Sequence, residues 1–304
     1  MNPLEKKILV IGAALVDFKY FPHQKLILGS SNPAEQVKSM GGVGLNMAKN
    51  LARLKCNVTM ASMIGTDENG VWLRRRIKSL GINDSFLFES ETEPTGTYAA
   101  VLNENGNLHL GLACTKICDA ITPNILEKIF KDINLYEYII IDTNLPSESL
   151  TEIISLMQRT SQKLVINPVS RIKSRKLPKN IAGIHLLVLN EEEAEELFAI
   201  GGGDDLKIFH ESGLENMVIT MGERGLKWYA GNTGRGYLPA KNISALEVKD
   251  VSGAGDALTA GIIYGLIHGS TLEKAADFAQ KLAAETVKSS KSVLSQDHPF
   301  WKTV

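Results

Sequence analysis

No Gly-Lys pair occurs anywhere in the 304 residues, so the chain has no Walker A phosphate loop. Cysteine is scarce: Cys56, Cys114 and Cys118 are too few for a disulfide framework and read as ordinary thiols in a reducing compartment. Cys114 and Cys118 lack a second pair to complete a zinc site, and the six histidines are scattered without ligand spacing. No apolar run approaches the ~20 residues of a membrane span. Lys6-Lys7 followed by ILVIGAALV has the outline of a secretory leader, but the run stops at Asp17 and no small-residue cleavage site follows. It reads instead as a buried parallel strand, and the chain as cytoplasmic. Neither sign of charge is in excess. The 33 basic and 34 acidic residues leave a net −1, which gives no broad basic field for nucleic acid or an anionic membrane.

What is present is ordinary bulk and a regular alternation. Apolar residues make up 44% and charged residues 22%, enough for a sizeable core in one large or two small domains. The apolar runs KILVIGAALV, NVTMASMIG, YEYIIID, KLVINPV, GIHLLVLN and NMVIT recur along the chain. Between them lie the helical patterns GLNMAKNLARL, GVWLRRRIKSL, TPNILEKIFKDI, PSESLTEIISLM and EEEAEELFAI. This alternation predicts an α/β fold with a mostly parallel sheet and helices on its faces. Ligands of such sheets bind beyond the carboxyl ends of the strands. Two segments interrupt the pattern. Residues 18–40 form a non-helical insertion, and 94–115 read as a hairpin turning at Asn105-Gly106. Together they predict a small β lid, leaving 1–17, 41–93 and 116–304 as the core. Arg74-Arg75-Arg76 reads as a solvated helix face. The stretch SSKSVLSQDHPFWKTV carries no pattern.

Four short motifs carry chemistry. In DVSGAGDALTAG, Asp250–Gly261, apolar spacing predicts a helix from Asp256 to His268 with Gly269 as its stop. Gly253, Ala254 and Gly255 then form the turn into it, and bare N–H groups at a helix start suit an anion, phosphate above all. Asp256 stands where it can take a proton from an attacking hydroxyl. The plainer alternative is a glycine turn with an acidic cap. GGVGLNMAKNL is a second glycine turn into a helix. It is either a close substrate approach, with Gly42 bare and Asn46 offering donor and acceptor, or tight packing at a helix start. In LNEEEAEEL, Asn190 and Glu193 suit either a hydrated Mg²⁺ near phosphates or a capped helix. In VITMGERGLKWY, a strand, a glycine turn and a strand place Thr220, Gly222 and Gly225 in a nucleotide pocket or in a plain hairpin.

The order and content of these motifs resemble the PfkB, or ribokinase-like, family of sugar and nucleoside kinases, from about Ile8 to about Ser289. GGVGLN at 41–46 is similar to the family's first signature and DVSGAGD at 250–256 to its second. The resemblance implies a three-layer α/β/α domain with a β lid, ATP and Mg²⁺ as cofactors, and a small sugar or nucleoside acceptor. By position it makes Asp256 the catalytic base and Gly253, Ala254 and Gly255 the anion hole. Asp17, Gly42 and Asn46 become acceptor contacts, and Asn190, Thr220, Gly222 and Gly225 join the nucleotide site. Glu193 becomes a Mg²⁺ contact through water, and Asp250 and Ser252 part of a K⁺ site. Lids of this family pair between subunits, which implies a homodimer. SSNPAE, GGVGLN, DTN at 142–144, NPVS at 167–170 and LNEEEAE resemble the pseudouridine kinase branch, which implies transfer to the 5′-hydroxyl of pseudouridine. Ser31, Asn32 and Thr97 of the lid are then the base contacts. Leu15, Asn167 and CTKIC at 114–118 depart from the branch's pattern. Ribose, fructose or a purine nucleoside are the rival acceptors. A binding regulator without catalysis is the rival from another class. A carboxylate retained at a phosphate site would repel the ligand for no return, which counts against that rival.

Overall fold

The computed structural model describes residues 6–198, 205–231 and 234–304. Thirteen strands alternate with nine helices among them. The strands are β1 (Lys7–Ile11), β2 (Leu15–Pro22), β3 (Ala34–Gly41), β4 (Asn57–Gly65), β5 (Asn83–Ser90), β6 (Thr97–Leu102), β7 (Leu108–Cys114), β8 (Tyr138–Asp142), β9 (Lys163–Asn167), β10 (Leu186–Asn190), β11 (Asn216–Thr220), β12 (Leu226–Ala230) and β13 (Gly234–Leu238). The helices are α1 (Val43–Arg53), α2 (Glu68–Ser79), α3 (Pro123–Phe130), α4 (Ser147–Met157), α5 (Arg171–Ser174), α6 (Glu191–Phe198), α7 (Asp205–Ser212), α8 (Ala254–Ile267) and α9 (Leu272–Val287).

Nine strands form one sheet in the order β13-β12-β11-β10-β9-β8-β1-β4-β5, parallel except at the β11–β12–β13 edge. Because successive side chains in a strand point to opposite faces, each buried strand feeds two cores. Leu9 and Ile11 of β1, with Ile139 and Ile141 of β8, face a core closed by Leu126, Ile153 and Phe209 of α3, α4 and α7. Ile8, Val10 and Ile140 face a second core closed by Leu45, Ile77, Ile263 and Ala276 of α1, α2, α8 and α9. The α/β reading, with a mostly parallel sheet between two helical layers, is therefore what the chain adopts. α8 and α9 pack unusually close. A Cβ on Gly261 or Gly265 would lie 2.8 or 2.6 Å from Ala279 or Ala275.

The second sheet has the order β3-β2-β6-β7 and is built from the two interrupting segments. Four details differ from the sequence reading. The run KILVIGAALV is not one strand. It breaks at Gly12, and its second half enters the lid sheet as β2. β5, β13, α5, α7 and α9 have no counterpart in that reading. Arg74 is not simply solvated: it reaches Asp84 (2.9 Å), Glu89 (3.0 Å) and the Leu87 carbonyl (2.6 Å). The patternless tail packs too, with Leu294, Phe300 and Trp301 against Leu54, Ala257 and Leu282. Among the described residues no helix is long and apolar enough to cross a membrane.

Candidate active site

The site is built at the break after β1. Asp142, fully buried at the end of β8, accepts the N–H groups of Ala13 (2.9 Å) and Gly44 (2.8 Å) on one oxygen and that of Asn144 (2.9 Å) on the other. One carboxylate thus ties the end of β1 to the start of α1. It also explains two glycines: a Cβ on Gly12 would lie 2.6 Å from that carboxylate, and one on Gly44 3.1 Å from it. Gly42, which caps α1, has φ of 92° and would drive a Cβ to 2.4 Å from the Ala13 carbonyl. The first glycine turn is therefore tight packing. Gly41 differs. Its missing Cβ would fall 2.0 Å from Asp17, so that carboxylate lies directly over bare backbone.

α1 carries a polar stripe, Asn46, Lys49 and Asn50, among the buried residues Leu45, Met47, Ala48 and Leu51. The Asn46 amide donates to Asp256 (3.0 Å), and its carbonyl oxygen accepts from the Lys49 ammonium (3.2 Å), which also donates to the Met40 carbonyl (2.9 Å). Asn46 is thus a positioning link between base and cation. Burial pushes the Asp256 carboxyl up to about 7, against the Asn46 hydrogen bond and the Lys49 charge, with Asp142 and Asp17 adding to the rise. Burial also pushes Asp17 up to about 6, opposed by Lys49 and Lys19, and pulls Lys49 down to about 8, opposed by Asp17 and Asp256. Two acids and one amine, each drawn toward neutrality by burial, face one another here, an arrangement that can move a proton.

Asp256 lies in the first turn of α8, where the helix end favours its anion. Gly253 caps that helix in the left-handed region, φ 80°, and a Cβ there would meet the Ser292 carbonyl at 2.2 Å. Gly255 is helical, and a Cβ on it would meet nothing within 4 Å. Protein packing therefore does not account for glycine at 255, and its backbone is open to a ligand. Ala254 donates to the Val251 carbonyl (3.3 Å). The amides at this end with no protein acceptor among the described residues are those of Gly253, Gly255 and Asp256.

The nucleotide-loop residues sit at neighbouring strand ends, with Asn190 opposite Thr220 in the β10–β11 register. Gly222 (φ 59°) faces open space, whereas Gly225 (φ 101°) is packed on the Leu238 carbonyl, 2.1 Å from where a Cβ would sit. Asn190 and Glu193 cap α6 reciprocally: Asn190 Oδ1 accepts the Glu193 N–H and Glu193 Oε2 accepts the Asn190 N–H, both at 2.9 Å. No three carboxylate, imidazole or thiol groups converge among the described residues. The cap engages one Glu193 oxygen, and the other would be the group to meet a hydrated Mg²⁺ carried on phosphates. Asn32 uses its amide inside its own loop, on Ile27 N–H (2.8 Å) and the Ile27 and Ser30 carbonyls (3.0 Å each). Ser31 is exposed beside it, and Thr97 is half-buried at the start of β6. The K⁺ expectation fits poorly. The Asp250 carboxylate accepts the Lys19 ammonium and the Ser252 N–H (2.8 Å).

An open helix start beside a buried, poised carboxylate, with a lid carrying a second acid above it, can transfer a phosphoryl group to an alcohol. That class of enzyme is what the fold and site define. The chain belongs to the pfkB family of carbohydrate kinases, whose model matches residues 5–299. It is 30% identical to the pseudouridine kinase of Escherichia coli K12 over 281 residues, 90% of this chain and 88% of that protein. It is 27% identical to the guanosine-inosine kinase of Exiguobacterium acetylicum, over 95% of this chain and 96% of that one. The structure is similar to a carbohydrate kinase from Agrobacterium tumefaciens, with a TM-score of 0.85, 30% identity, and 98% and 96% of the two chains covered.

Sequence reasoning gave no site role to Lys49, Asp142 or Lys19. Lys49 had a signal, since it lies three residues after Asn46 on the same helix face. Asp142 could not be connected to residues 13 and 44 from spacing alone.

Proposed function

We propose that the protein transfers the γ-phosphoryl group of ATP to the 5′-hydroxyl of pseudouridine. The observation that carries the kinase chemistry is the Asp256–Asn46–Lys49 chain, directly beside the open amides of Gly253, Gly255 and Asp256. Asn46 holds one Asp256 oxygen and leaves the other for the acceptor hydroxyl, whose proton Asp256 takes as attack begins. The open amides meet charge developing on the transferring group. Mg²⁺ arriving with ATP supplies charge neutralisation on the phosphate oxygens. Asp17, on the lid above Gly41, accepts ribose hydroxyls. The lid closes over the acceptor and keeps out water, which otherwise competes as acceptor. The exposed Leu108, Leu110 and Leu112 along one face of β7 support pairing of two lids in a homodimer.

The likeness to the Escherichia coli pseudouridine kinase supports the acceptor. Pseudouridine and uridine share a ribose, so Asp17 cannot tell them apart. Pseudouridine alone offers a ring N1–H, and a site built to accept it leaves an acceptor unpaired with uridine, at about 1–3 kcal/mol. With the Asn32 amide engaged in its own loop, Thr97 is the lid residue that best supplies that acceptor. A coupled ADP-release assay over pseudouridine, uridine, guanosine, inosine, ribose and fructose tests this. We expect pseudouridine to exceed uridine at least about tenfold in kcat/KM. Preference for guanosine or inosine would move the chain to the purine-nucleoside activity of its other relative. Preference for ribose or fructose would make it a sugar kinase.

A further inference from the structure

Lys19 stands on β2 two residues after Asp17, so both side chains leave the lid on one face. Its ammonium crosses from the lid to the core, donating to Asp250 and, at 3.2 Å, to the Ser290 carbonyl. Both partners are only slightly exposed, 16% for Lys19 and 20% for Asp250. The two acceptors come from two core segments that meet under the start of α8. Asp250 leads into Gly253, and residues 287–292 run back past it. Lys249 and Asp250 donate to the Val287 carbonyl (2.9 and 3.3 Å), and Gly253 lies against Ser292. Burial alone would raise the Asp250 carboxyl, yet the Lys19 and Ser252 hydrogen bonds hold it below its usual range. One carboxylate and one carbonyl, shared between two loops, make a cation position, and a protein ammonium already fills it. A further monovalent ion would have to displace Lys19 or share one carboxylate with it against like-charge repulsion.

We propose that the Lys19 ammonium is a built-in cation, which orders the Gly253–Gly255 amides from the lid and makes the enzyme indifferent to K⁺. It replaces the exchangeable ion that the motif DVSGAGD implied, and it ties amide order to lid position. The charge arrives with the lid, so a displaced lid leaves Asp250 and Ser290 without their cation. The inference depends on the kinase chemistry for its rate arm only, and not on which acceptor is used.

The test compares wild type with Lys19→Met, in potassium chloride and in tetramethylammonium chloride at matched ionic strength. ADP release is read with the best acceptor of the panel, and Tm is read without substrate. We expect wild-type rate and Tm to be the same in both salts. The variant should lose roughly tenfold or more in tetramethylammonium, as for one lost electrostatic support, and K⁺ should restore most of the rate and raise its Tm by binding the native state. Several-fold stimulation of wild type by K⁺ overturns the proposal, whether or not the variant folds. So does a folded Lys19→Met that keeps full rate in tetramethylammonium, or one that K⁺ affects in neither rate nor Tm. An enzyme inactive on every acceptor would fail the kinase reading, while the Tm comparison would still decide the cation question.

Discussion

Replacing Lys49 by Met removes the one positive charge that opposes ionisation penalties on both Asp256 and Asp17. A unit charge about 6 Å away at an effective dielectric of 20 is worth about 3 kcal/mol, or about 2 pK units. Burial pulls the Lys49 ammonium down only to about 8, so it is still mostly charged at pH 7 and the expected change stays close to that figure. The direction is upward: without the cation the Asp256 anion is less stable, and its carboxyl rises above about 7. The assay is kcat/KM for the acceptor against pH. In wild type the rate climbs as Asp256 ionises near 7. In Lys49→Met that ascending limb should move up by about two units. Activity then drops roughly 50-fold at pH 7 and recovers in alkali. Lys49→Arg, which keeps the charge, should keep the ascending limb. A loss that is equal at every pH, or an ascending limb that stays where it was, would refute the electrostatic role of Lys49.

The same burial predicts a stability effect. Because the folded-state carboxyl of Asp256 is raised to about 7, its neutral form is favoured by the fold. That stability is fully present below about pH 4 and is lost as pH rises through about 7. Asp256→Asn should therefore melt above wild type at pH 8, with the gap closing toward pH 4; a gap that does not change with pH contradicts the buried-acid account. The glycines of the second motif should separate cleanly. Gly253→Ala puts a Cβ at positive φ and against Ser292, and should cost about 2 kcal/mol or more in denaturant unfolding. Gly255→Ala has room, and should hold or gain up to about 1 kcal/mol of stability while raising the KM for ATP. Equal destabilisation by both would remove the case for an open ligand-facing backbone at 255.

The architecture was legible because its carrier is periodicity. Short, β-branched runs such as YEYIIID and KLVINPV suit strands buried on both faces, and the helical patterns between them suit parallel crossovers. Where the pattern failed, a long-range contact decided. KILVIGAALV reads as one strand, but Asp142, 130 residues away from Gly12, pins the chain there and sends Leu15 onward into the lid. β5 escaped notice because NDSFLFES begins and ends polar, and β13 because GRGYL is short and glycine-rich. α9, by contrast, carries local signals, a Thr271 cap and a clean apolar period. At the site, Asp256 and the glycines announce themselves in sequence, since a helix start is a local feature. The meeting of Asp256 with Asn46, 210 positions apart, and the arrival of Lys19 at Asp250 depend on how the lid and two helices converge. No spacing rule reports such meetings.

The central claim is that Asp256 takes the acceptor proton at a phosphate site. Asp256→Asn keeps the size and the contact with Asn46 but removes the base. Single-turnover rate and ATP affinity should be measured together on the folded variant. We expect the rate to fall roughly 10²- to 10⁴-fold, with ATP bound as tightly as before or slightly more so, because a negative charge has left the phosphate site. A variant that turns over at near wild-type rate, or one whose whole loss is explained by weakened ATP binding, would contradict the account.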